Sequence, residues 1–430
     1  MTSSRESRRR PKGRGVPAGR GPYDVGCGDV MTDIVEPSIL LRLFYPIDRL
    51  ENGIPMEQRP SWLPSDHYAH GFANIGGVKC LGTRIKKLLE NIKLPVCWHG
   101  KLSESKTKYP VIIFSHGLGG CRTLYTSICM DIASCGCIVA AVEHREHSAC
   151  HSFFLTESSK DKTISTNGNQ QQSTPNYQAV DFIKAPYEVD DLRLKQITQR
   201  RDECIASLNF LEVLDDGFNY QSDADRDFDL LQFKGRLDLS SAAICGHSYG
   251  GATTIATLSH DERFKCGVAC DPWGYPLSLD TSFRCVDQPM LFINTEKFQF
   301  KDNIEHLLCL MPDPMATSGP RQMITIRGMD HQCQTDLGFV FPPFIAKILK
   351  MRDKLHPRVA IETNNDAMIE FLSKYISLER GSGMTSFDAM SNPLIMPGHN
   401  VRMAPPWWKK FGEKKNKKKV APTPSTENTP

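Results

Sequence analysis

The chain lacks the long apolar segments that enter or cross membranes. No stretch of its 430 residues approaches the roughly 20 consecutive apolar residues that a membrane span requires. The first thirty residues contain no apolar core of a secretion signal, residue 2 is Thr rather than the Gly that myristoylation needs, and no Asn-x-Ser/Thr glycosylation acceptor occurs. We therefore expect a cytoplasmic protein, one that can still associate peripherally with membranes.

The sequence also lacks a disulfide framework. Its 15 cysteines are an odd number without regular spacing, so we interpret them as small buried residues of an intracellular chain. The stretch EHREHSACH at 143–151 could be read as part of a zinc site, but no second ligand cluster lies at a standard spacing. A loop after a strand is the better interpretation, and we predict neither a metal nor a cofactor.

The charges are distributed unevenly along the chain. The formal net charge is +3, but residues 1–20 hold seven Lys and Arg against one Glu, and residues 401–420 hold eight against one Glu. Both ends lack hydrophobic periodicity, so we predict a disordered basic arm over 1–20, one catalytic domain over 21–380 and a disordered Lys- and Pro-rich tail over 381–430. Such ends either contact anionic membrane surfaces or only improve solubility. Nucleic acid is not expected as a partner.

Apolar runs alternate with helical patterns through the centre of the chain. Strands are predicted at 38–46, 109–117, 137–144, 239–248, 264–271, 288–296 and 321–328. Helices are predicted at 122–136, 188–214 and 250–260, and a long polar surface excursion at 155–178. This alternation predicts an α/β fold with a mainly parallel central sheet flanked by helices. Sheets of this kind bind ligands where the strands end.

The pattern Gly-x-Ser-x-Gly occurs once, as GHSYG over 246–250. It follows a predicted strand and opens a helix of small residues, which is the context of a nucleophile elbow. The small neighbours allow strand and helix to cross closely around a serine with a strained backbone, and the helix N-terminus supplies positive potential at the hydroxyl. We predict Ser248 as the nucleophile. An ordinary strand-to-helix turn and the remnant of a lost site are the alternatives.

A serine hydroxyl requires a base, and in this type of fold the acid and then the histidine follow the serine along the chain. Asp271 ends a predicted strand, where an inward-pointing acid belongs, and His331 follows the last predicted strand. The alternatives at these positions are Asp287 and Asp302 for the acid, and His306 and His356 for the base. The joint occurrence in the required order favours a triad of Ser248, Asp271 and His331.

An oxyanion hole requires two backbone donors. The first is expected to be the N–H of Tyr249, the residue after the nucleophile. The second is expected in the glycine-rich loop SHGLGGCRT, residues 115–123, which follows an earlier strand. We predict the N–H of Leu118 as this donor, with a plain glycine-rich turn as the alternative.

These motifs together resemble the lipase-like platelet-activating factor acetylhydrolases, both the intracellular type and the plasma lipoprotein-associated type. The matching stretches span roughly 21–350 in family order, and the set is more specific than any single member. They are GPYDVGCGDVM, LLRLFYP, VIIFSHGLGGCRTLYT, VAAVEHREHSA, ICGHSYGGAT, CGVACDPWGYPL and MDHQCQTDLGFV.

The resemblance implies an α/β-hydrolase fold and a calcium-independent serine esterase. Such an enzyme removes acetyl or other short or oxidised acyl groups from the middle (sn-2) position of a phospholipid, and the resemblance assigns it the same triad and the same two backbone donors. Family elbows usually carry Phe at the position of Tyr249, where only the backbone is needed. A broad carboxylesterase or peptidase on this fold, and a non-catalytic lipid-binding relative, are the alternatives.

The chain departs from the family at its ends. The myristoylation signal of the intracellular relatives and the signal peptide of the plasma form are both missing, and the Lys-rich tail has no known family counterpart.

Two segments, 83–94 and 339–354, combine an apolar helical face with basic flanks, which is the pattern of helices that lie in a membrane interface. The candidate interfacial residues are Leu88, Leu89, Phe344, Ile345 and Ile348. The expected partner is therefore a phospholipid substrate at a membrane or lipid-particle surface. The alternative is that both faces pack on the core, as most amphipathic helices do.

Overall fold

One large mixed sheet with helices on both faces organises the molecule. The computed structural model describes residues 14–155, 177–310, 320–382, 384 and 391–400. The strands are β1 (Asp24–Thr32), β2 (Ile39–Ile47), β3 (Cys97–Trp98), β4 (Tyr109–Ser115), β5 (Ile138–Val142), β6 (His151–Leu155), β7 (Tyr177–Asp181), β8 (Leu237–His247), β9 (Phe264–Cys270), β10 (Met290–Thr295), β11 (Arg321–Ile326) and β12 (Ile395–Pro397). The helices are α1 (Asp66–Ile75), α2 (Gly82–Leu89), α3 (Thr126–Ala133), α4 (Asp190–Asp215), α5 (Tyr249–Leu258), α6 (Tyr275–Ser278), α7 (Lys301–Leu308), α8 (Leu337–Val340), α9 (Pro343–Ile348) and α10 (Pro357–Leu372).

The strand order confirms the predicted α/β-hydrolase type of sheet. Across the described ranges it is β12-β11-β10-β9-β8-β4-β5-β2-β1-β3, and β6 pairs separately with β7. Neighbouring strands are parallel from β5 through β4, β8, β9 and β10 to β11, whereas β2 is antiparallel to both neighbours. The parallel strands therefore end at one edge of the sheet. Ser248, Asp271 and His331 follow β8, β9 and β11 at that edge.

Strand β4 shows why this sheet is covered on both faces. Its side chains alternate, so that Ile112 and Phe114 enter one hydrophobic cluster while Val111 and Ile113 enter the other. Helices α3 and α10 cover the first cluster, and α4 and α5 cover the second. Because burial of each such side chain contributes about 1.5–3 kcal/mol, a continuous apolar run is stable only as a strand enclosed on both sides.

The folded part extends beyond residue 380, where the sequence analysis placed its end. Residues 395–397 form β12, which pairs antiparallel with β11 and covers that edge of the sheet. The prediction of disorder over 381–430 is therefore wrong for this strand. A three-residue strand has too little periodicity to be recognised in the sequence, and its stability comes from satisfying the backbone groups of its neighbour.

The predicted N-terminal arm, 1–20, is also ordered where the structure describes it. Val16 is buried, and the guanidinium of Arg20 pairs with Asp131 at 2.6 Å and with Asp366 at 2.7 Å. These contacts anchor the chain beside α3 and α10, so the prediction of disorder is wrong for this part of the arm. Parts of the predicted N-terminal arm, surface excursion and C-terminal tail lie outside the described residues, at 1–13, 156–176, 383, 385–390 and 401–430.

The segment 339–354 contains the end of one short helix and the whole of another, which begins at the proline pair. Helix α8 ends at Val340, and α9 begins at Pro343 after Pro342 adopts an extended backbone with ψ of 142°. Two consecutive prolines remove two N–H donors, which ends one helix, while Pro343 is suited to start the next. No helix in the described parts of the chain has both the length and the apolar content needed to cross a membrane.

Candidate active site

Ser248 lies on a sharp turn between β8 and α5, as the sequence predicts for an elbow. Its φ of 59° and ψ of −117° are strained for a residue with a side chain, at a cost on the order of 1–3 kcal/mol. The Ser248 N–H is held by Cys270 O at 2.8 Å. A Cβ added to Gly250 would lie 1.9 Å from the carbonyl oxygen of Ser115, so only glycine allows α5 to start this close to β4.

The structure brings the three side chains predicted as a triad into one hydrogen-bonded row. The hydroxyl of Ser248 lies 2.9 Å from Nε2 of His331, and Nδ1 of the same ring lies 2.9 Å from Oδ2 of Asp271. This geometry places Nε2 where it can accept the serine proton and Nδ1–H where it donates to the carboxylate. The row is formed by Asp271 and His331 and not by the alternatives considered for the acid and the base.

Asp271 is fully enclosed and is oriented by Thr295. The backbone N–H and the hydroxyl of Thr295 each donate to a different carboxylate oxygen, both at 2.6 Å. Burial raises the pKa of Asp271, and the Thr295 hydrogen bonds oppose this because they favour the charged form. Asp271 itself has φ of 42°, which turns its side chain toward the histidine as the strand ends.

The imidazole of His331 is held between two other rings. Phe298 stacks on one side with ring centroids 3.7 Å apart, and His247 lies at 4.4 Å. Burial lowers the pKa of His331, so the ring is neutral at pH 7 and available as a base. The stacked rings restrict the imidazole to the plane that joins Ser248 and Asp271.

The glycine-rich loop after β4 lies against the serine. A Cβ added to Gly117 would lie 3.1 Å from Cβ of Ser248, so the loop backbone approaches the nucleophile directly. No hydrogen bond from the N–H of Leu118 is found within the described ranges, while Tyr249 opens α5, where the first N–H groups lack intrahelical acceptors. Both backbone groups predicted as oxyanion donors are therefore near Ser248 and free of helix or strand pairing.

Tyr125 and His247, which the sequence analysis did not select, connect this loop to His331. The hydroxyl of Tyr125 accepts from the N–H of Gly117 at 3.1 Å and lies 2.8 Å from Nδ1 of His247. Burial lowers the pKa of His247, so the ring that shares this hydrogen bond with the Tyr125 hydroxyl is neutral. The position of His247 inside the GHSYG pattern was visible in the sequence, but its tyrosine partner, 122 positions away, had no local signal.

A metal could be held by one group in the described part of the chain. Ligand atoms of His247, Asp271 and His331 lie within 4.8 Å of one another. Both ring nitrogens of His331 already contact the serine and the aspartate, so a metal here would replace the row described above. In the stretch 143–151, His144 instead bonds to Glu203 at 2.6 Å.

The two predicted interfacial segments differ in how far their apolar side chains are buried. In α2, Leu89 is completely buried, so the expectation that it faces a membrane is wrong, while Leu88 is partly buried against the core. Ile345 of α9 also packs on the core, whereas Phe344 and Ile348 are 75% and 63% exposed. The same apolar and basic pattern therefore covers the core in one helix and faces solvent in the other.

The sheet topology and the serine on its elbow define a serine hydrolase of the α/β-hydrolase class. The model of the family "Platelet-activating factor acetylhydrolase, isoform II" matches residues 10–390, and the chain belongs to that family. It is 35% identical to the platelet-activating factor acetylhydrolase of Cavia porcellus over 391 residues, covering 91% of this chain and 83% of the relative. The Gallus gallus protein of the same name is 36% identical over 402 residues, covering 92% of each.

A solved structure agrees on the fold. The ferulic acid esterase from Streptomyces cinnamoneus superposes with a TM-score of 0.56, covering 90% of this chain and 99% of that one. At 15% sequence identity, this likeness concerns the chain trace and not the substrate.

Proposed function

We propose that the chain is a serine esterase that removes acetyl or other short or oxidised acyl groups from the sn-2 position of platelet-activating factor-like phospholipids. The observation that carries this proposal is the row Ser248–His331–Asp271, with both hydrogen bonds at 2.9 Å. Membership of the acetylhydrolase family supports the substrate class.

The geometry supports a two-step reaction. The Ser248 oxygen attacks the ester carbonyl carbon while its proton passes to Nε2 of His331, and the carbonyl oxygen becomes an oxyanion that accepts from the N–H groups of Leu118 and Tyr249. The oxyanion collapses, the lysophospholipid oxygen leaves with the proton from His331, and an acyl-serine remains. Water then attacks the acyl carbon, gives its proton to His331, and releases the carboxylic acid and Ser248.

Calcium is not part of this proposal. The neutral imidazole of His331 serves as the base, and backbone N–H groups serve as the electrophilic partner, which are the two tasks that a metal would otherwise take over. Phospholipid hydrolysis can therefore proceed with this chain's own residues.

We further propose that helix α9 contacts the lipid surface that supplies the substrate. Phe344, Ile348 and Leu349 are 75%, 63% and 51% exposed, and Lys347 and Lys350 lie among them. An exposed apolar face with basic neighbours is the pattern of a helix that inserts shallowly between headgroups. The basic segments that could add electrostatic attraction lie outside the described residues.

A cytoplasmic location, peripheral at membranes, is consistent with the thiols. All 15 cysteines are free, and most are buried. A chain of this kind is typical of reducing compartments, where cysteine serves as a small apolar residue.

The test compares an acetyl-bearing ether phospholipid with its long-chain acyl analogue, using the parent chain and Ser248→Ala. We expect the parent to hydrolyse the acetyl lipid preferentially and to react with a fluorophosphonate probe, and the variant to lose several orders of magnitude in rate together with labelling. Equal rates on both lipids would indicate a broad carboxylesterase instead. Stoichiometric labelling of the alanine variant would remove Ser248 from its role.

A further inference from the structure

Helix α4 buries a stripe of polar side chains against the sheet. The buried polar residues, spaced three or four apart along one face, are Arg193, Gln196, Arg200, Glu203 and Ser207. Burying charges costs several kcal/mol per ion, and well-packed apolar residues often serve stability as well or better. The polar stripe of α4 therefore requires a reason other than stability, and its central member, Arg200, is completely enclosed.

Arg200 uses its whole guanidinium group in hydrogen bonds. Nε donates to the Thr253 hydroxyl at 2.9 Å, and the terminal nitrogens donate to the Glu146 carboxylate at 3.2 Å and to the Ser148 hydroxyl. They also donate to the Ser115 hydroxyl at 3.2 Å and to the backbone carbonyl of His116. The fixed fork of arginine can reach these acceptors on β4, on the loop after β5 and on α5 simultaneously, which the single ammonium of lysine cannot do.

The residues that Arg200 contacts lie beside both backbone N–H groups predicted as oxyanion donors. The His116 carbonyl lies two residues before Leu118, and the carbonyl of Ser148 accepts from the N–H of Gly119 at 2.7 Å. On the other side, the guanidinium carbon lies 4.6 Å from the ring centroid of Tyr249, the residue that provides the second N–H. The buried guanidinium of Arg200 thus contacts the loop that carries Leu118 and the side chain of Tyr249, although these two donors are far apart in the chain.

Neighbouring groups complete the support of the loop. The Ser115 hydroxyl lies 2.8 Å from Nε2 of His144, whose Nδ1 lies 2.6 Å from the carboxylate of Glu203. Burial and the charge of Arg200 lower the pKa of His116 and of His144, so both rings are neutral. Neutral His116 donates from Nδ1 to the Gly117 carbonyl at 2.8 Å. This carbonyl belongs to the same peptide group as the N–H of Leu118, so the hydrogen bond helps to orient the predicted donor.

We propose that Arg200 is the positioning residue of the oxyanion hole, holding the N–H groups of Leu118 and Tyr249 at the separation that one oxygen requires. The proposal rests on the proposed function, since it assumes that a tetrahedral oxyanion forms at Ser248. Arg200 does not reach the reacting atoms, and its charge is matched by Glu146. Its effect is geometric, and a displacement of about 1 Å in such a donor can cost about 100-fold in rate.

The experiment uses p-nitrophenyl acetate, whose hydrolysis needs the oxyanion hole but no lipid recognition. The variants are Arg200→Lys and the double variant Arg200→Met/Glu146→Gln, which removes both charges and leaves neither buried alone. We expect kcat to fall about 10- to 100-fold with KM within about twofold of the parent. The affinity for a trifluoromethyl ketone, which forms a tetrahedral adduct with serine, should fall by the same factor as kcat/KM.

Arg42→Met is the matched control. Arg42 is equally buried and pairs with Asp29, which keeps a second partner in Arg122. We expect this control to lower the melting temperature and leave kcat unchanged. The proposal is overturned if a folded double variant keeps the parental kcat, or if ketone affinity stays constant while kcat falls. A parent chain that cleaves p-nitrophenyl acetate but no phospholipid would refute the proposed substrate alone.

Discussion

Thr295 holds Asp271 through both of its donors, with the backbone N–H and the hydroxyl each 2.6 Å from a different carboxylate oxygen. Thr295 is the last residue of β10 and Asp271 follows the last residue of β9, and the parallel pairing of these strands brings both to the same edge of the sheet. The threonine thus sets the orientation of the carboxylate and favours its charged form, which in turn holds the histidine.

Replacing this hydroxyl should change the pH dependence of the reaction. Activity requires a charged Asp271 and a neutral His331, so it is lost as the pH falls through the apparent pKa of the pair. Thr295→Val removes one hydrogen bond to the carboxylate, which raises its pKa further, so the acidic limb of kcat/KM should move to higher pH by about one unit. Thr295→Ser keeps the hydroxyl and should keep the parental profile. An unmoved limb in the valine variant would contradict this account.

Loss of the Tyr125 hydroxyl should affect both rate and stability. Tyr125→Phe leaves the Gly117 N–H without its acceptor and Nδ1 of His247 without its hydrogen-bond partner, both in a buried setting. We expect a loss of about 1–3 kcal/mol in the free energy of unfolding and a fall in kcat of about tenfold, as the loop before Leu118 relaxes.

The control for that variant is Tyr109→Phe. Tyr109 is also buried, and it lies on β4 at the strand end opposite the site. Its hydroxyl donates to the Ser103 carbonyl at 3.0 Å. It should lose similar stability in chemical denaturation and keep its kcat. If both variants lose kcat equally, the Tyr125 hydroxyl acts only through stability.

Calcium removal should leave the rate unchanged. The proposed base is His331 and the proposed oxyanion donors are backbone N–H groups, so no step passes through a cation. We expect hydrolysis of the acetyl phospholipid to continue at the parental rate in excess EDTA, and added calcium to have no effect. A loss in EDTA that calcium reverses would refute the serine-only mechanism.

Helix α9 should determine binding to vesicles. Phe344→Ser/Ile348→Ser removes exposed apolar area, so we expect weaker co-sedimentation with anionic and neutral vesicles and a lower rate on vesicle-borne lipid, with hydrolysis of p-nitrophenyl acetate unchanged. Phe218→Ser, at a side chain 54% exposed outside α9, is the control that should bind like the parent.

A chain ending at residue 400 separates the contribution of the basic tail, whose effect should appear only on anionic vesicles and should weaken in salt. Unchanged binding of the α9 double variant would show that this helix does not contact lipid.

Local signals in the sequence select the three side chains that the fold brings together in one hydrogen-bonded row. Ser248 could be found because an elbow requires small residues within two positions of the serine, and Asp271 and His331 because they follow predicted strands in the order that this fold demands. Parallel strands with crossovers then bring those ends to one edge of the sheet. Each of these requirements acts over a few residues, or follows from the chain order of the strands.

Tertiary structure decided what no local pattern contains. Helices α2 and α9 have the same apolar and basic pattern, yet Leu89 is buried and Phe344 is exposed, because only packing determines which apolar face another element covers. Similarly, the sequence around Arg200 predicts only an ordinary amphipathic helix. The acceptors of Arg200 come from β4, the loop after β5 and α5, and are between 52 and 85 positions away, so only the folded chain brings them to one guanidinium.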